Sequence, residues 1–225
     1  MQTLTPHTES TRGQLGQGIY SLAELRLYLS LYGKPEDGDS ALYWLDHALN
    51  PVAHESRQPD YSFSDFISLL VVRELVGMGV RVGRIQEAER YGRRRFGLDR
   101  PYVTNEVMTD GSLVFFASDE ERQVEVANRG GGQQVDRRAV AAYLRRVVYS
   151  ADGLAIAWQP VKHVVLRPGV QFGEPTVDGT RVPTSAVADV AEAAGVVEAA
   201  KRLGVTRTAA AAAVKFEHRL AALRG

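Results

Sequence analysis

The amino-acid sequence predicts an α+β protein that is mostly helical. Apolar residues recur at helical spacing between capping signals from residue 21 to residue 96 and again beyond residue 184. Between these regions, residues 105–158 hold short β-branched and aromatic runs around two Asp-Gly pairs, a hairpin signature. The chain has 225 residues, enough to bury a core without disulfide or metal staples. It divides into a flexible arm (1–18), a helical domain (19–100), a connector of β-hairpins with a helix (101–160) and a helical C-terminal domain (161–225).

Each element has a local cause. Residues 1–18 are rich in Thr, Gly, Gln and Ser, as in a mobile arm. Ser21 and Glu24 form a capping box that opens a helix with Leu22, Leu25 and Leu29 inward. Gly33 to Gly38 reads as a turn, and Asp39 caps a second helix, Ser40–Leu49, with Leu42, Leu45 and Leu49 on one face. Asn50-Pro51 stops it. The helix from Phe63 to Val76 is apolar nearly all round, as a central buried helix is. A further helix runs from Gly83 to Phe96 with Val82, Ile85, Ala88, Gly92 and Phe96 inward, and Gly97 is its C-cap candidate.

The period then changes. Asn105–Phe116 reads as two strands around Asp110-Gly111, a type I′ hairpin. Asp119–Arg129 is polar, Gly130–Gly132 is a loop, and Asp136 caps a helix, Arg137–Val147, with Val140, Tyr143, Leu144 and Val147 inward. Val147–Tyr149 and Leu154–Trp158 flank Asp152-Gly153 as a second hairpin, and His163–Leu166 is a strand. The Gly- and Pro-rich stretch from Pro168 to Pro183 demands loops and turns. Helices follow at Ser185–Ala194, Val196–Leu203 and from a Thr206 or Thr208 cap to Leu223.

Composition excludes several classes. No Cys is present, which removes zinc fingers, iron–sulfur sites and thiol chemistry and fits a reducing cytoplasm. No apolar run reaches the roughly 18 residues of a membrane span, and Met1–Gly18 lacks the apolar region of a secretory signal. The formal net charge is zero, with 27 basic and 27 acidic residues. The charge is not evenly spread. Residues 81–100 hold 7 basic and 3 acidic side chains, and residues 196–225 hold 6 and 2. Screening makes such clusters act locally, over about 8 Å at physiological salt, so a neutral chain can carry a phosphate-binding face.

The second cluster coincides with the sharpest local pattern. The helix Val197–Leu203, the turn Gly204-Val205-Thr206 and a capped second helix form a helix-turn-helix arrangement. Ala199 and Ala200 permit close helix approach, and Leu203 and Val205 can bury between the helices. Thr206, Arg207 and Thr208 occupy the helix start that recognition helices present to base edges. Lys201, Arg202, Lys215 and Arg219 are candidates for phosphate contact, and Arg181 joins the same DNA-facing set. The same residues also fit a three-helix packing module with a solvated basic face.

In the other cluster, Glu89 and Arg93 form an i,i+4 pair worth about 0.2–0.5 kcal/mol. Arg90 and Arg94, four apart, can share a phosphate or carboxylate contact. The first helix pair is also helix-turn-helix-like, but its second helix carries Asp46 and His47 and no Lys or Arg, and Tyr43 and Trp44 are expected to pack. The five His residues (7, 47, 54, 163, 218) share no metal spacing. No Gly-x-Ser-x-Gly occurs, and Gly130–Gly132 is not followed by the Lys-Ser/Thr of a phosphate loop. No cofactor or metal site is expected, and the chain reads as non-enzymatic.

Two stretches resemble known families. Residues 19–98 resemble a winged, MerR-like helix-turn-helix region through Ile19-Tyr-Ser-Leu-Ala-Glu24, Ser40-Ala-Leu-Tyr-Trp-Leu45 and Val80-Arg-Val-Gly-Arg-Ile85. Residues 164–219 resemble a small C-terminal domain of bacterial antitoxins, through Pro168-Gly-Val-Gln-Phe-Gly-Glu-Pro175, Gly179-Thr-Arg-Val-Pro-Thr184 and the helix-turn-helix above. Their combined order resembles VapB-type antitoxins of type II toxin–antitoxin pairs. The resemblance implies a cytoplasmic, non-enzymatic protein that binds and neutralises a PIN-domain, VapC-type ribonuclease toxin. It also implies repression of its own operon through operator DNA, as a homodimer or a higher hetero-oligomer with the toxin. Under it Arg90, Arg94, Arg219 and Arg224 are candidate toxin contacts, since arginine pairs carboxylates bidentately. A stand-alone MerR-like transcriptional regulator and an interaction module that does not bind DNA are the alternatives.

Overall fold

The structure is a computed structural model and describes residues 19–31, 33, 35–50, 60–117, 138–142, 144 and 146–224. The expected arm 1–18, the Gly130–Gly132 loop and the Asp136 cap lie outside the described residues. In chain order the elements are α1 (Leu22–Ser30), α2 (Pro35–Asp39), α3 (Ala41–His47), α4 (Phe63–Gly77), α5 (Val82–Phe96), β1 (Val107–Thr109), β2 (Val114–Phe116), β3 (Arg138–Ala139), β4 (Val147–Tyr149), β5 (Ala155–Val161), β6 (Val164–Leu166), β7 (Pro175–Val177), α6 (Thr184–Ala194), α7 (Val196–Arg202) and α8 (Arg207–Arg224). The protein is α+β and mostly helical, with two antiparallel sheets among the described residues, ordered β2-β1-β3 and β4-β5-β6-β7.

Two compact units form. One collects the described residues of Met1–Asp39, His54–Phe63 and Arg146–Gly225, and the other those of Ser40–Ala53 and Ser64–Arg145. This grouping differs from the four consecutive divisions read in the sequence: residues 19–39 fold with the C-terminal part. Long-range bonds invisible to local pattern are the cause. Tyr20 and Tyr61 exchange main-chain bonds at 2.9 and 2.8 Å. The Tyr20 hydroxyl donates to the Gly173 carbonyl at 3.0 Å, and the Ile19 N–H to that of Phe172 at 2.9 Å.

In this first unit, α1 begins with the expected capping box: Glu24 N–H donates to Ser21 Oγ at 3.2 Å, and Ser21 N–H to Glu24 Oε2 at 2.7 Å. The turn expected at 33–38 is instead partly the short helix α2. Gly38 lets α2 approach α1, since a Cβ there would lie 2.4 Å from Ser30 Oγ and 2.8 Å from the Arg26 carbonyl. The β4–β5 hairpin forms around Asp152-Gly153 as expected, with Val147 opposite Trp158. The Gly- and Pro-rich stretch is more ordered than expected, because β7 pairs with β6 (Val165 opposite Thr176) and completes the sheet.

In the second unit, α4 supplies the core through Phe66, Ile67, Leu69, Leu70, Val71, Val72 and Leu75, all buried. Helix α5 ends at Gly97 in the left-handed conformation, φ 63°. Phe116 packs edge-on against Phe96 at 5.0 Å between ring centres. The β1–β2 hairpin forms, but its loop is Asp110–Leu113 rather than a two-residue type I′ turn. Asp110 Oδ1 accepts from the Ser112 and Leu113 N–H groups, both at 2.7 Å, which closes the longer loop. Among the described residues of 137–147 the expected helix is not present. Its described residues form β3, a single 3-10 turn (Val140–Ala142) and the start of β4. Strand pairing of Arg138 with Thr109 and of Val147 with Trp158 outweighs the local helical pattern. On α3, Trp44 is buried as expected, but Tyr43 is exposed and stacks on His47 at 4.4 Å, and Leu42 is also exposed. The cap of α3 is Ser40 by backbone position, not Asp39.

Candidate functional site

The C-terminal helices bring most of the sequence-chosen residues onto two helices and one turn. Helices α6, α7 and α8 share a small-residue core of Val187, Ala199, Ala200, Ala209, Ala210 and Ala213 beside Val177, with Leu203 and Val205 packed against it. Alanine at these positions lets the helices approach closely. Helix α7 ends at Leu203, and Gly204 follows at φ 65°, a conformation disfavoured for side chains with a Cβ. The Thr206 hydroxyl accepts the Ala209 N–H at 3.2 Å and lies 3.1 Å from the Thr208 hydroxyl, so Thr206 is the cap of α8.

The buried side of α8 is Ala209, Ala210, Ala213, Phe216 and Leu220. The helical period therefore places Arg207, Thr208 and Lys215 away from that side and Arg219 at its flank, and all four are exposed. Arg207 and Lys215, eight residues apart, are separated by about 12 Å along the axis. Lys201 and Arg202 are exposed on α7. Arg202 is held by Glu198 at 2.7 Å on the same helix. Arg181 is exposed in the loop between β7 and α6, where its carbonyl accepts the Gln171 side-chain amide at 3.0 Å.

Arg219 has a further role that the sequence did not reveal. Its guanidinium donates to the carbonyl of Leu31, the residue that closes α1. The residue chosen for both DNA and toxin contact thus also braces an orphan helix-end carbonyl.

The Pro168–Thr184 motif has a structural cause. Gln171, Phe172 and Gly173 all have positive φ (48°, 53° and 91°). Thr180 Oγ1 donates to the Val177 carbonyl at 2.7 Å and accepts the Val182 N–H at 3.1 Å. The Thr184 hydroxyl bonds to the Glu217 carboxylate, which ties the start of α6 to α8.

In the second unit, Arg90 and Arg94 are both exposed on α5, and Arg90 bonds to Gln86 at 3.3 Å. The expected Glu89–Arg93 pair does not form. Arg93 meets Asp99 at 3.3 Å, and Glu89 points inward, fully buried. Arg100 Nη1 donates to Glu89 Oε1 at 3.3 Å and to the Asn50 carbonyl at 2.6 Å, while Arg100 Nε donates to Asp65 Oδ1 at 2.6 Å. The Asn50 amide also donates to Glu89. Burial raises the Glu89 carboxyl above its ordinary value despite the opposing effects of Asn50, Arg100 and Arg93. Burial also pushes up the hydroxyls of Tyr20, Tyr28 and Tyr102, and that of Tyr149 to about 12. No group of three or more His, Asp or Glu residues fit to hold a metal ion occurs among the described residues. No described helix is long and apolar enough to cross a membrane.

No protein-family model matches the chain, and no curated protein matches it. The crystal structure of Rv2018 from Mycobacterium tuberculosis is similar in fold, with a TM-score of 0.61 at 19% identity over 87% of this chain and 96% of that one. At this identity the likeness carries the fold alone.

Proposed function

We propose that this protein is a VapB-type antitoxin: a non-enzymatic, cytoplasmic protein that binds and neutralises a PIN-domain, VapC-type ribonuclease toxin and represses its own operon as a dimer. The observation that carries the operator-binding half is the exposed side of α8, where Arg207, Thr208 and Lys215 follow a glycine turn and a threonine cap. A helix start with hydroxyl and guanidinium groups suits base edges, and the cations further along suit phosphates. The toxin-binding half rests on the family resemblance and on exposed arginines that can pair carboxylates: Arg90, Arg94 and Arg224.

The experiment is co-expression with the product of the adjacent gene, followed by size exclusion and an operator mobility shift. A stable complex that suppresses ribonuclease activity and shifts the operator is expected. Arg207→Ala with Lys215→Ala should abolish the shift and leave the complex intact. Operator binding unchanged by that pair removes α8 from the DNA interface, and the absence of a complex removes the antitoxin reading.

A further inference from the structure

Two side-chain bonds tie the C-terminal half of α8 to other helices of the first unit. Glu217 accepts a hydrogen bond from the hydroxyl of Thr184, the first residue of α6, which is fully buried. Arg219 donates to the carbonyl of Leu31, the residue that closes α1. All three helices belong to the same unit. Glu217 and Arg219 stand two residues apart, so they project from the helix about 200° apart. The ties therefore reach α8 from nearly opposite sides. By the same period, the exposed Arg207, Thr208 and Lys215 fall in the sector between them, away from the buried side.

The packing of α8 shows why such ties matter. Its first two turns meet α6 and α7 through Ala209, Ala210 and Ala213. A methyl group interdigitates little, so an alanine face fixes the rotation of a helix about its own axis only weakly. The bulkier buried residues, Phe216 and Leu220, lie in the same half as the ties. At a helix radius of about 5–6 Å, a rotation of about 20° moves a surface group by about 2 Å. That displacement breaks a hydrogen bond to a base edge, which tolerates only a few tenths of an ångström. A phosphate contact from a long, flexible lysine survives it.

We infer that Thr184, Glu217 and Arg219 are positioning residues for operator recognition: their two bonds clamp the rotation of α8 and so decide which of its groups meet the base edges, without touching DNA themselves. The inference rests on the operator-binding half of the proposed function. It makes α1, remote in sequence from α8, part of the DNA-reading module.

The test compares the affinity of the full chain for a duplex that it selects from a random-sequence library with its affinity for an unselected duplex. The ratio of the two is insensitive to the fraction of folded protein, so a loss of stability alone leaves it unchanged. Thr184→Val and Arg219→Gln should each lower the ratio about tenfold, the scale of one lost base contact, with affinity for the unselected duplex nearly constant. Glu217→Gln keeps an acceptor for the Thr184 hydroxyl and should retain the ratio. Arg219→Gln should also leave the salt slope of selected-duplex binding unchanged, because no phosphate contact is lost. Arg219 is exposed, so its variant serves if Thr184→Val melts early. An unchanged ratio in Thr184→Val or Arg219→Gln, or an Arg219→Gln slope reduced by about one phosphate contact, overturns the inference alone. A wild-type chain that selects no duplex overturns the operator reading and the inference with it.

Discussion

Arg100 Nε lies 2.6 Å from Asp65 Oδ1, and both side chains are buried, 3% and 7% exposed. The same guanidinium reaches Glu89, whose side chain is fully buried. One cation therefore holds two interior carboxylates drawn from α4 and α5. Replacing Arg100 removes a guanidinium that both interior carboxylates bond, which costs more than the pair itself contributes. Arg100→Met should destabilise the second unit by about 3–5 kcal/mol, read as a lowered urea midpoint at unchanged slope. Adding Asp65→Asn and Glu89→Gln to that variant should recover part of the loss. A midpoint within experimental error of wild type for Arg100→Met would contradict the account.

Glu89 gives the pH dependence a definite sign. Its folded-state value is raised above the ordinary 4.5, chiefly by burial. The folded form therefore holds a proton that the unfolded form releases. The associated stability is fully present below about 4.5 and is lost as pH rises through the raised value. Glu89→Gln, which keeps the shape and cannot ionise, should flatten that loss. Denaturant midpoints measured from pH 4 to pH 8 in both proteins check it, and parallel curves would count against burial of the carboxyl.

Arg219 and Lys215 are both exposed on α8 but differ in their commitments, since Arg219 also donates to the Leu31 carbonyl. Arg219→Ala should lower stability by about 1 kcal/mol through the lost bond. Lys215→Ala should leave the melting temperature unchanged and reduce the salt slope of operator binding by about one phosphate contact. Thermal melts together with salt titrations separate the two. Identical behaviour of the variants would refute the division of roles.

Thr206 and Thr208 differ in the same way. Thr206→Ala removes a cap from α8 and should cost about 1 kcal/mol, visible as a lower melting temperature. Thr208→Ala removes no main-chain partner of the helix start and should be close to neutral in stability. Equal losses would show that the 3.2 Å bond from Ala209 to Thr206 is not what holds the helix start.

Gly92 stands where α5 meets Phe116 and Pro101. A Cβ there would lie 2.7 Å from Phe116 Cζ and 2.7 Å from Pro101 Cβ. Gly92→Ala should overpack the second unit and destabilise it by about 1–3 kcal/mol, against the gain that alanine usually brings inside a helix. A stabilised variant in chemical denaturation would show that Phe116 can move aside at little cost.

Features whose partners lie within about four residues are legible in the sequence itself: the Ser21–Glu24 capping box, the Gly97 helix end, the Asp152-Gly153 hairpin, and the Gly204 turn leading to the Thr206 cap. So is the exposed side of α8, because a helix's period sets its faces. Position in the chain could not tell that Glu89 turns inward to an arginine eleven residues on, or that Arg219 reaches Leu31 from 188 residues away. Nor could it tell that Arg138, Ala139 and Val147 leave a helical pattern for strand pairing, or that the described residues of 19–39 fold with the C-terminal part. Each of these depends on partners remote in sequence, and burial against such partners can outweigh the few tenths of a kcal/mol per residue that local propensity supplies.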